Sequence, residues 1–263
     1  MVYVGSKARI ARYFVPVIQG AIDENGLCTY VEPFVGGANV IDRIQCKRRI
    51  GFDINPYLIA LLQHAKIGGE LPTHMSENEY KAIRKNPSSY PMWQVGAAWF
   101  LASKGGTFGK YERTHTTKFG NSRDYYEEAR RKLLYQLPNI RNVLFDCVDY
   151  GELSSRTGLT QLLTVSIKDK LPNCIYCDPP AVGATVTDRY SKNFDMDEFW
   201  DVARIWSERN LVFVSGLTAP DDFAPVWTGH SPNSLSVAQD GDKIPESLFV
   251  HQSRVDMVPP LDC

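Results

Sequence analysis

The chain has 263 residues and a mass of 29.7 kDa, with 43% hydrophobic residues, 22% charged residues and a formal net charge of −1. This ordinary globular composition excludes a largely disordered chain and leaves room for one substantial core, with or without a small inserted domain. No apolar stretch reaches the length that spans a bilayer, and the basic residues near the N-terminus are too evenly spaced for a signal peptide, so we expect a soluble, cytoplasmic protein.

Strand-like and helix-like segments alternate along most of the sequence. Short apolar runs predict strands at 27–34, 48–55, 142–150, 173–178, 210–216 and 247–255. Helical spacing of apolar residues predicts helices at 7–21, 56–67, 77–85, 92–103, 122–136 and 197–208. This alternation indicates an α/β fold with a mostly parallel sheet, in which ligands bind at the carboxyl ends of the strands. The last strand is expected to pair in antiparallel fashion with a partner near 225–238.

Segment 66–135 interrupts the alternation, because it contains helical patterns but no clear strand. We interpret it as an inserted helical module, which leaves 1–65 and 136–263 as the core. Within the module, loop 104–123 is rich in glycine and carries five basic residues against one acidic residue, with aromatic residues between them. Such a loop is a candidate nucleic-acid surface. On composition alone, a flexible solvated loop is the slightly favoured interpretation.

The turn after the first predicted strand, EPFVGGANV, favours contact with a ligand. Gly36 and Gly37 let the backbone approach a bound molecule without obstruction by a Cβ atom. Asp53 ends the second strand about twenty residues later, where dinucleotide-binding folds use an acid to accept hydrogen bonds from ribose hydroxyls. The phosphate fingerprint G-x-G-x-x-G is absent, which counts against NAD. An adenosine-bearing ligand without a pyrophosphate fits better, and S-adenosylmethionine is the commonest such molecule.

The fourth predicted strand ends in Asp178-Pro179-Pro180. The prolines keep the backbone extended and remove two N–H donors, so the carbonyls of this turn stay free to accept hydrogen bonds. An aspartate beside such carbonyls can hold both protons of an exocyclic amine and align its lone pair with an electrophile. The alternative is a proline-stiffened loop in which the aspartate is a cap. We disfavour it because the fourth strand is expected to end close to the first.

Two of the six cysteines, Cys174 and Cys177, form a C-x-x-C within this fourth strand. A zinc site would need a second ligand pair at a matching spacing, and a redox C-x-x-C would open a helix. We therefore expect two reduced, buried thiols and no metal site.

Taken together, these motifs resemble the DNA adenine-N6 methyltransferases of the Dam type, the D12 class, in the order where the cofactor motif precedes the catalytic motif. The resemblance covers nearly the whole chain. It is carried by YVGSK (3–7), VEPFVGGANV (31–40), GFDIN (51–55), ASKGGTFGKY (102–111), RDYYEEARRKLL (123–134), DCVDY (146–150), CDPP (177–180) and SLFVH (247–251). It implies a Rossmann-like S-adenosylmethionine-dependent methyltransferase sheet with an inserted helical target-recognition domain at 66–135.

The resemblance also implies roles for individual residues. S-adenosyl-L-methionine, which yields S-adenosyl-L-homocysteine as product, would be held by Tyr3, Lys7, Phe34, Gly36, Asp53, Asp149 and Asp178. The catalytic positions would be Asp178, Pro179, Pro180 and Ala181. Double-stranded DNA would lie against loop 104–123, at Lys104, Lys110, Tyr111, Arg113, Lys118 and Arg123. We expect a monomer in a bacterial or phage-infected cell; restriction–modification, repair marking and phage self-protection are all compatible with the sequence.

Ala181 is the main departure from the family pattern, while Ser6 in place of a second glycine is a minor one. The family motif is D-P-P-Y, and its aromatic ring stacks on an adenine flipped out of the duplex. Loss of roughly 1–3 kcal/mol of stacking lowers the occupancy of the flipped state about tenfold to a hundredfold. Either Ala181 was introduced on purpose to disable the enzyme, or the natural protein is weakened or has a different target, such as cytosine N4.

Three further side chains are candidates to line the pocket that receives the flipped base. Tyr190 or Phe194 could supply a compensating ring, and Ser215, by position alone, would line the pocket for the base. We favour a disabled methyltransferase, with a catalytically silent protein that binds cofactor and DNA as the alternative.

Overall fold

A computed structural model of the chain describes residues 5–103, 106, 108–112, 114–116, 122–155, 172–180, 194–230 and 245–260. Several residues singled out above lie outside these ranges, namely Tyr3, Lys104, Arg113, Lys118, Ala181 and Tyr190.

The described secondary structure alternates between strands and helices. The strands are β1 (Thr29–Glu32), β2 (Arg48–Asp53), β3 (Thr114–Thr116), β4 (Ser122–Asp124), β5 (Val143–Cys147), β6 (Cys174–Cys177), β7 (Leu211–Gly216), β8 (Phe223–His230) and β9 (Pro245–His251). The helices are α1 (Ala11–Glu24), α2 (Pro56–Lys66), α3 (Glu77–Lys85), α4 (Met92–Phe100), α5 (Tyr125–Ile140), α6 (Tyr150–Ser155) and α7 (Met196–Ser207). Short 3₁₀ turns lie at Lys7–Arg9, Pro87–Ser89 and Gln252–Met257.

A seven-stranded sheet in the order β5-β2-β1-β6-β7-β9-β8 forms the centre of the fold. The pairs β2–β5, β1–β2, β1–β6 and β6–β7 are parallel, whereas β9 is antiparallel to both β7 and β8. The predicted mixed α/β architecture with a mostly parallel sheet is therefore confirmed. Because β9 runs the opposite way, its first residues lie at the same edge as the carboxyl ends of β6 and β7.

The structure brings the first and fourth predicted strands together. β6 pairs directly with β1, with Tyr30 opposite Cys174. All four residues of β6 are buried, since a strand covered by helices on both faces of a parallel sheet is apolar throughout. Cys174 and Cys177 are free thiols within this strand, so the prediction of two buried, reduced cysteines is confirmed.

Segment 66–135 contains strands, and the prediction of none was wrong. β3 and β4 pair in antiparallel fashion, with Thr114 opposite Asp124. Each strand has three residues and neither shows the apolar alternation by which strands are recognised. The hairpin also takes the start of the helix predicted from residue 122, so that α5 begins at Tyr125, where the Asp124 carboxylate accepts a hydrogen bond from the backbone N–H of Glu127.

The end of the last strand also differs from the sequence-based expectation. β9 stops at His251, and the residues predicted to extend it to 255 form a 3₁₀ turn instead. His251 supplies the reason, because its ring nitrogen accepts a hydrogen bond from the N–H of Ser253 and so caps the turn.

Helices of segment 66–135 share a hydrophobic core with the sheet. Tyr80 of α3, Val95 of α4 and Tyr126 of α5 belong to the same buried cluster as Tyr30 of β1. The contact between α4 and α2 is close, since a Cβ atom on Gly96 would lie 2.2 Å from the carbonyl oxygen of Tyr57. The division of the chain into a catalytic core and a separate target-recognition domain therefore stays a prediction.

None of the helices within the described ranges combines the length and the apolar character required to cross a membrane.

Candidate active site

The candidate site is built around Asp178, the first residue after β6. Lys7 reaches it from the 3₁₀ turn that precedes α1, and its Nζ lies 2.8 Å from Oδ1 of Asp178. Ser6 holds this turn, because its Oγ accepts hydrogen bonds from the N–H of Ala8 and from the side-chain amide of Asn39. The residue that departs from the family's second glycine is thus a cap that ties the Lys7 turn to the segment after β1.

A second donor fixes the same oxygen of Asp178. Ser215, on β7, donates a hydrogen bond from Oγ to Oδ1 at 3.0 Å, and the Tyr176 hydroxyl in turn donates to Ser215 Oγ at 3.1 Å. No donor from the described residues contacts Oδ2 of Asp178. One carboxylate oxygen is therefore held by two donors from within the protein, and none of the described residues donates a hydrogen bond to the other.

Glu246, the second residue of the antiparallel strand β9, completes this group. Its Oε1 lies 3.1 Å from Lys7 Nζ, so the ammonium group is shared by two carboxylates. The side chains of Lys7, Asp178 and Glu246 keep 16%, 23% and 15% of their surface exposed, so all three are largely buried but still reach the protein surface.

Burial and charge set the ionisation of Lys7 and Glu246. Burial alone would lower the pKa of Lys7, but the Asp178 and Glu246 carboxylates outweigh it, so that the pKa of Lys7 lies above its ordinary value. Burial raises the pKa of Glu246, and the neighbouring Lys7 ammonium opposes that rise. Lys7 is therefore a fixed positive charge, and it is the contact that favours an ionised Glu246.

Asp53 joins the glycine turn to the end of β2. Its Oδ2 accepts a hydrogen bond from the N–H of Gly36 at 3.1 Å, and its Oδ1 accepts one from the N–H of Asn55 at 3.0 Å. Gly36 adopts a φ of 47° and Ala38 a φ of 56°, both in the left-handed region that L-residues other than glycine rarely occupy. The buried Asp53 carboxylate thus holds a strained turn in place, in addition to any ligand it contacts.

A buried glutamine fixes the other side of this turn. Gln136, on α5, directs its amide nitrogen at the carbonyl oxygens of Gly37 and Ala38 and at the side-chain oxygens of Asn39 and Asp42, at 3.0 to 3.3 Å. The helix that follows the β3–β4 hairpin therefore also contacts the candidate cofactor turn.

Aromatic side chains line the neighbouring part of the edge. Phe34, just after β1, packs against Tyr150, Phe194 and Phe199 with ring centroids 5.3 to 5.8 Å apart. Phe194, considered above as a compensating ring, is thus already engaged with three rings of this cluster. Asp149 precedes Tyr150 and accepts a hydrogen bond from the N–H of Gly151 through Oδ1, which places it at the start of α6.

The described residues of the basic loop differ in whether they already have a partner within the protein. Lys110 is exposed, whereas the Tyr111 hydroxyl donates to the carbonyl oxygen of Met75 and anchors the loop to the protein. The Arg123 guanidinium forms a two-pronged ion pair with Glu128 at 2.8 and 2.6 Å. Any contact of Arg123 with DNA would therefore compete with this carboxylate.

Of the residues proposed from the sequence, the structure brings Lys7 and Asp178 into contact, and it joins Gly36 to Asp53. Sequence reasoning missed Glu246 and Tyr176. In the sequence, nothing distinguishes Tyr176 from the other residues of a buried strand. Glu246 immediately precedes SLFVH, but the spacing along the chain gives no sign that this residue lies beside Lys7.

The order of the sheet, with an acid-proline-proline turn beside a glycine turn, defines a Rossmann-like methyltransferase fold. The chain belongs to the D12 class N6 adenine-specific DNA methyltransferase family, whose sequence profile matches residues 3–153. The matched region includes Lys7, Gly36, Asp53 and Asp149 and ends before Asp178.

A curated relative extends the similarity. The chain is 24% identical over 197 residues to the type II methyltransferase M.FokI of Planomicrobium okeanokoites, an alignment that covers 68% of this chain and 28% of the relative. The chain therefore corresponds to little more than a quarter of that protein's length.

Proposed function

We propose that this chain transfers a methyl group from S-adenosyl-L-methionine to N6 of adenine in double-stranded DNA, and that Ala181 limits its turnover. The observation that carries the proposal is the asymmetry of Asp178: Lys7 and Ser215 hold Oδ1, and no described residue contacts Oδ2. With Oδ1 fixed in this way, Oδ2 is positioned to accept a hydrogen bond from an amine N–H.

The residues of the site fit a cationic nucleoside cofactor. Asp53 can accept from ribose hydroxyls, the ring of Phe34 can lie against the adenine, and the carboxylates of Asp178 and Glu246 outnumber the Lys7 ammonium. Bound there, S-adenosylmethionine would supply an electrophilic methyl carbon, whose bond to sulfur breaks with its electron pair kept by sulfur as the amine nitrogen bonds to the same carbon.

Within the chain, the work is positioning and electrostatic stabilisation. Asp178 Oδ2 and the carbonyl oxygen of Pro179 accept the two N6 protons and direct the nitrogen lone pair toward the methyl group. The amine nitrogen gains positive charge as its new bond forms, and the adjacent carboxylate stabilises that charge. N6 then loses one proton to Asp178 or to water.

Ala181 removes the ring on which a flipped adenine would stack. Because stacking of a base on an aromatic ring is worth roughly 1–3 kcal/mol, its absence lowers the population of the reactive state without altering Asp178. Cofactor binding should therefore persist while methylation is slow.

The test compares the wild-type chain with Ala181→Tyr, with Ala181→Leu as a matched control that fills space without an aromatic face. Tritiated methyl incorporation into unmethylated duplex DNA is measured, together with calorimetric binding of S-adenosylhomocysteine. We expect a gain of roughly tenfold to a hundredfold for Ala181→Tyr and little gain for Ala181→Leu.

Three results would count against parts of the proposal. If the wild-type chain bound neither S-adenosylmethionine nor S-adenosylhomocysteine, the methyltransferase assignment would fail. Binding without incorporation in any variant would favour a protein that holds cofactor and DNA but does not turn over. Digestion of the product to nucleosides would reveal methylation of cytosine N4 in place of adenine N6.

A further inference from the structure

Glu246 is the residue of the site whose role neither the family resemblance nor the sequence patterns supply. It is the second residue of β9, and its register partner on β8 is Gly229. Because β9 runs antiparallel to β7, its first residues lie at the edge of the sheet where Asp178 follows β6. The antiparallel direction of β9 therefore places the Glu246 carboxylate at the site, although this residue is far from Asp178 in the sequence.

The contacts of Glu246 join it to the reactive acid through one cation. Lys7 Nζ lies 3.1 Å from Glu246 Oε1 and 2.8 Å from Asp178 Oδ1. All three side chains keep less than a quarter of their surface exposed, so solvent screens their charges less than it would at an open surface. The ammonium is thus held between the two carboxylates and kept in contact with Asp178.

The charge of the group depends on Glu246. Lys7 and Asp178 alone would form a neutral pair, and a neutral pair exerts little field on a neighbouring cation. With Glu246 ionised, two carboxylates face one ammonium, and the group carries a net charge of −1. S-adenosylmethionine carries a positive sulfonium, whereas S-adenosylhomocysteine has a neutral thioether in its place.

We propose that Glu246 is a positioning residue that holds Lys7 against Asp178 and gives the site the net negative charge by which it favours a sulfonium over a thioether. The same charge favours the positive nitrogen that develops as N6 forms its bond to the methyl carbon and the carbon–sulfur bond breaks. This inference rests on the proposed function, because it assumes that the sulfonium binds beside Asp178.

The experiment measures dissociation constants of S-adenosylmethionine and S-adenosylhomocysteine by calorimetry for the wild-type chain, Glu246→Gln, Glu246→Asp and a surface control, Glu208→Gln. The Gln variant keeps an oxygen that can accept from Lys7 but removes the charge, and the Asp variant keeps the charge on a shorter stem. We expect Glu246→Gln to weaken S-adenosylmethionine binding by roughly threefold to thirtyfold and S-adenosylhomocysteine binding by less than about twofold. Glu246→Asp should restore part of the difference, and Glu208→Gln should match the wild-type chain.

A general loss of structure would not produce this pattern, because it would weaken both ligands together. Equal weakening of both ligands in Glu246→Gln, or no change in either, would overturn the assignment of Glu246 while leaving the methyltransferase proposal intact. If the wild-type chain bound neither ligand, the methyltransferase proposal and this inference would fall together. Thermal unfolding of each variant, measured alongside, identifies any variant that is not folded at the assay temperature.

Discussion

The hydroxyl of Ser215 lies 3.0 Å from Oδ1 of Asp178, so a side chain of β7 holds the acid that follows the neighbouring strand β6. Ser215 is buried, and it also accepts a hydrogen bond from Tyr176. Asp178 is therefore oriented from inside the sheet as well as by Lys7.

Replacing Ser215 with alanine should loosen Asp178 and leave Tyr176 without its acceptor. We expect Ser215→Ala to lower the methylation rate about threefold to tenfold, with S-adenosylhomocysteine binding nearly unchanged, because one hydrogen bond to a carboxylate is lost while Lys7 remains. Single-turnover methylation in the Ala181→Tyr background gives the rate. Ser88→Ala, at an exposed serine between α3 and α4, is the control, and equal rates in both variants would contradict a role for Ser215.

Asp53 should contribute to stability as well as to cofactor binding. Its two oxygens accept from the N–H groups of Gly36 and Asn55, and Asp53→Asn would turn an amide N–H₂ toward one of these donors. We expect a loss of roughly 1–3 kcal/mol in the free energy of unfolding, measured by urea denaturation, together with weaker S-adenosylhomocysteine binding. Glu24→Gln makes the same chemical change at an exposed position and should leave both measurements unaltered; a stable Asp53→Asn would show that the turn holds without the carboxylate.

Glu32 should make stability depend on pH. Burial raises the pKa of this carboxyl well above its ordinary value of 4.5, although the hydrogen bond from the Tyr30 hydroxyl opposes the shift. The folded state thus keeps a proton that the unfolded chain releases, so Glu32 lowers stability as the pH rises from about 4.5 towards its folded pKa. Glu32→Gln removes this proton, and its free energy of unfolding relative to the wild-type chain should increase with pH.

The slope of that difference is the diagnostic quantity. One proton corresponds to a limit of about 1.4 kcal/mol per pH unit within the window. Urea denaturation of wild type and Glu32→Gln between about pH 4.5 and 8 gives the slope. Any constant cost of burying an amide shifts the difference without changing its slope. Glu208→Gln, at an exposed carboxylate, should show no slope, and a flat difference for Glu32→Gln would mean that the folded and unfolded chains titrate alike at this residue.

Lys110 should contact DNA through its charge alone. It is exposed on the described part of the basic loop, and a lysine that binds a phosphate contributes about one counterion to the salt dependence of binding. Lys110→Ala should weaken binding to all duplex sequences similarly and reduce the slope of log affinity against log salt by about 1, as measured by fluorescence anisotropy. Lys47→Ala is the control, because Lys47 precedes β2 and so lies at the sheet edge opposite Asp178. Equal effects of the two variants would indicate general charge attraction in place of a defined surface.

Much of the fold could be predicted from local patterns. The runs that become β2, β6 and β7 are bounded by an acid or glycine, and the sequence predicts their ends to within two residues, because the buried part of a parallel strand is rich in apolar residues. The β3–β4 hairpin could not be predicted, because its strands are short and its pairing is decided by contacts between segments, not by propensity.

The sequence by itself determined the family, the α/β architecture and the acid at the tip of the fourth predicted strand, because these depend on residues close together in the chain. Only the tertiary structure decided that Lys7 and Ser215 contact Asp178 and that Glu246 contacts Lys7. They come from a turn, a parallel strand and an antiparallel strand far apart in the sequence, and strand direction and order bring their polar groups within hydrogen-bonding distance.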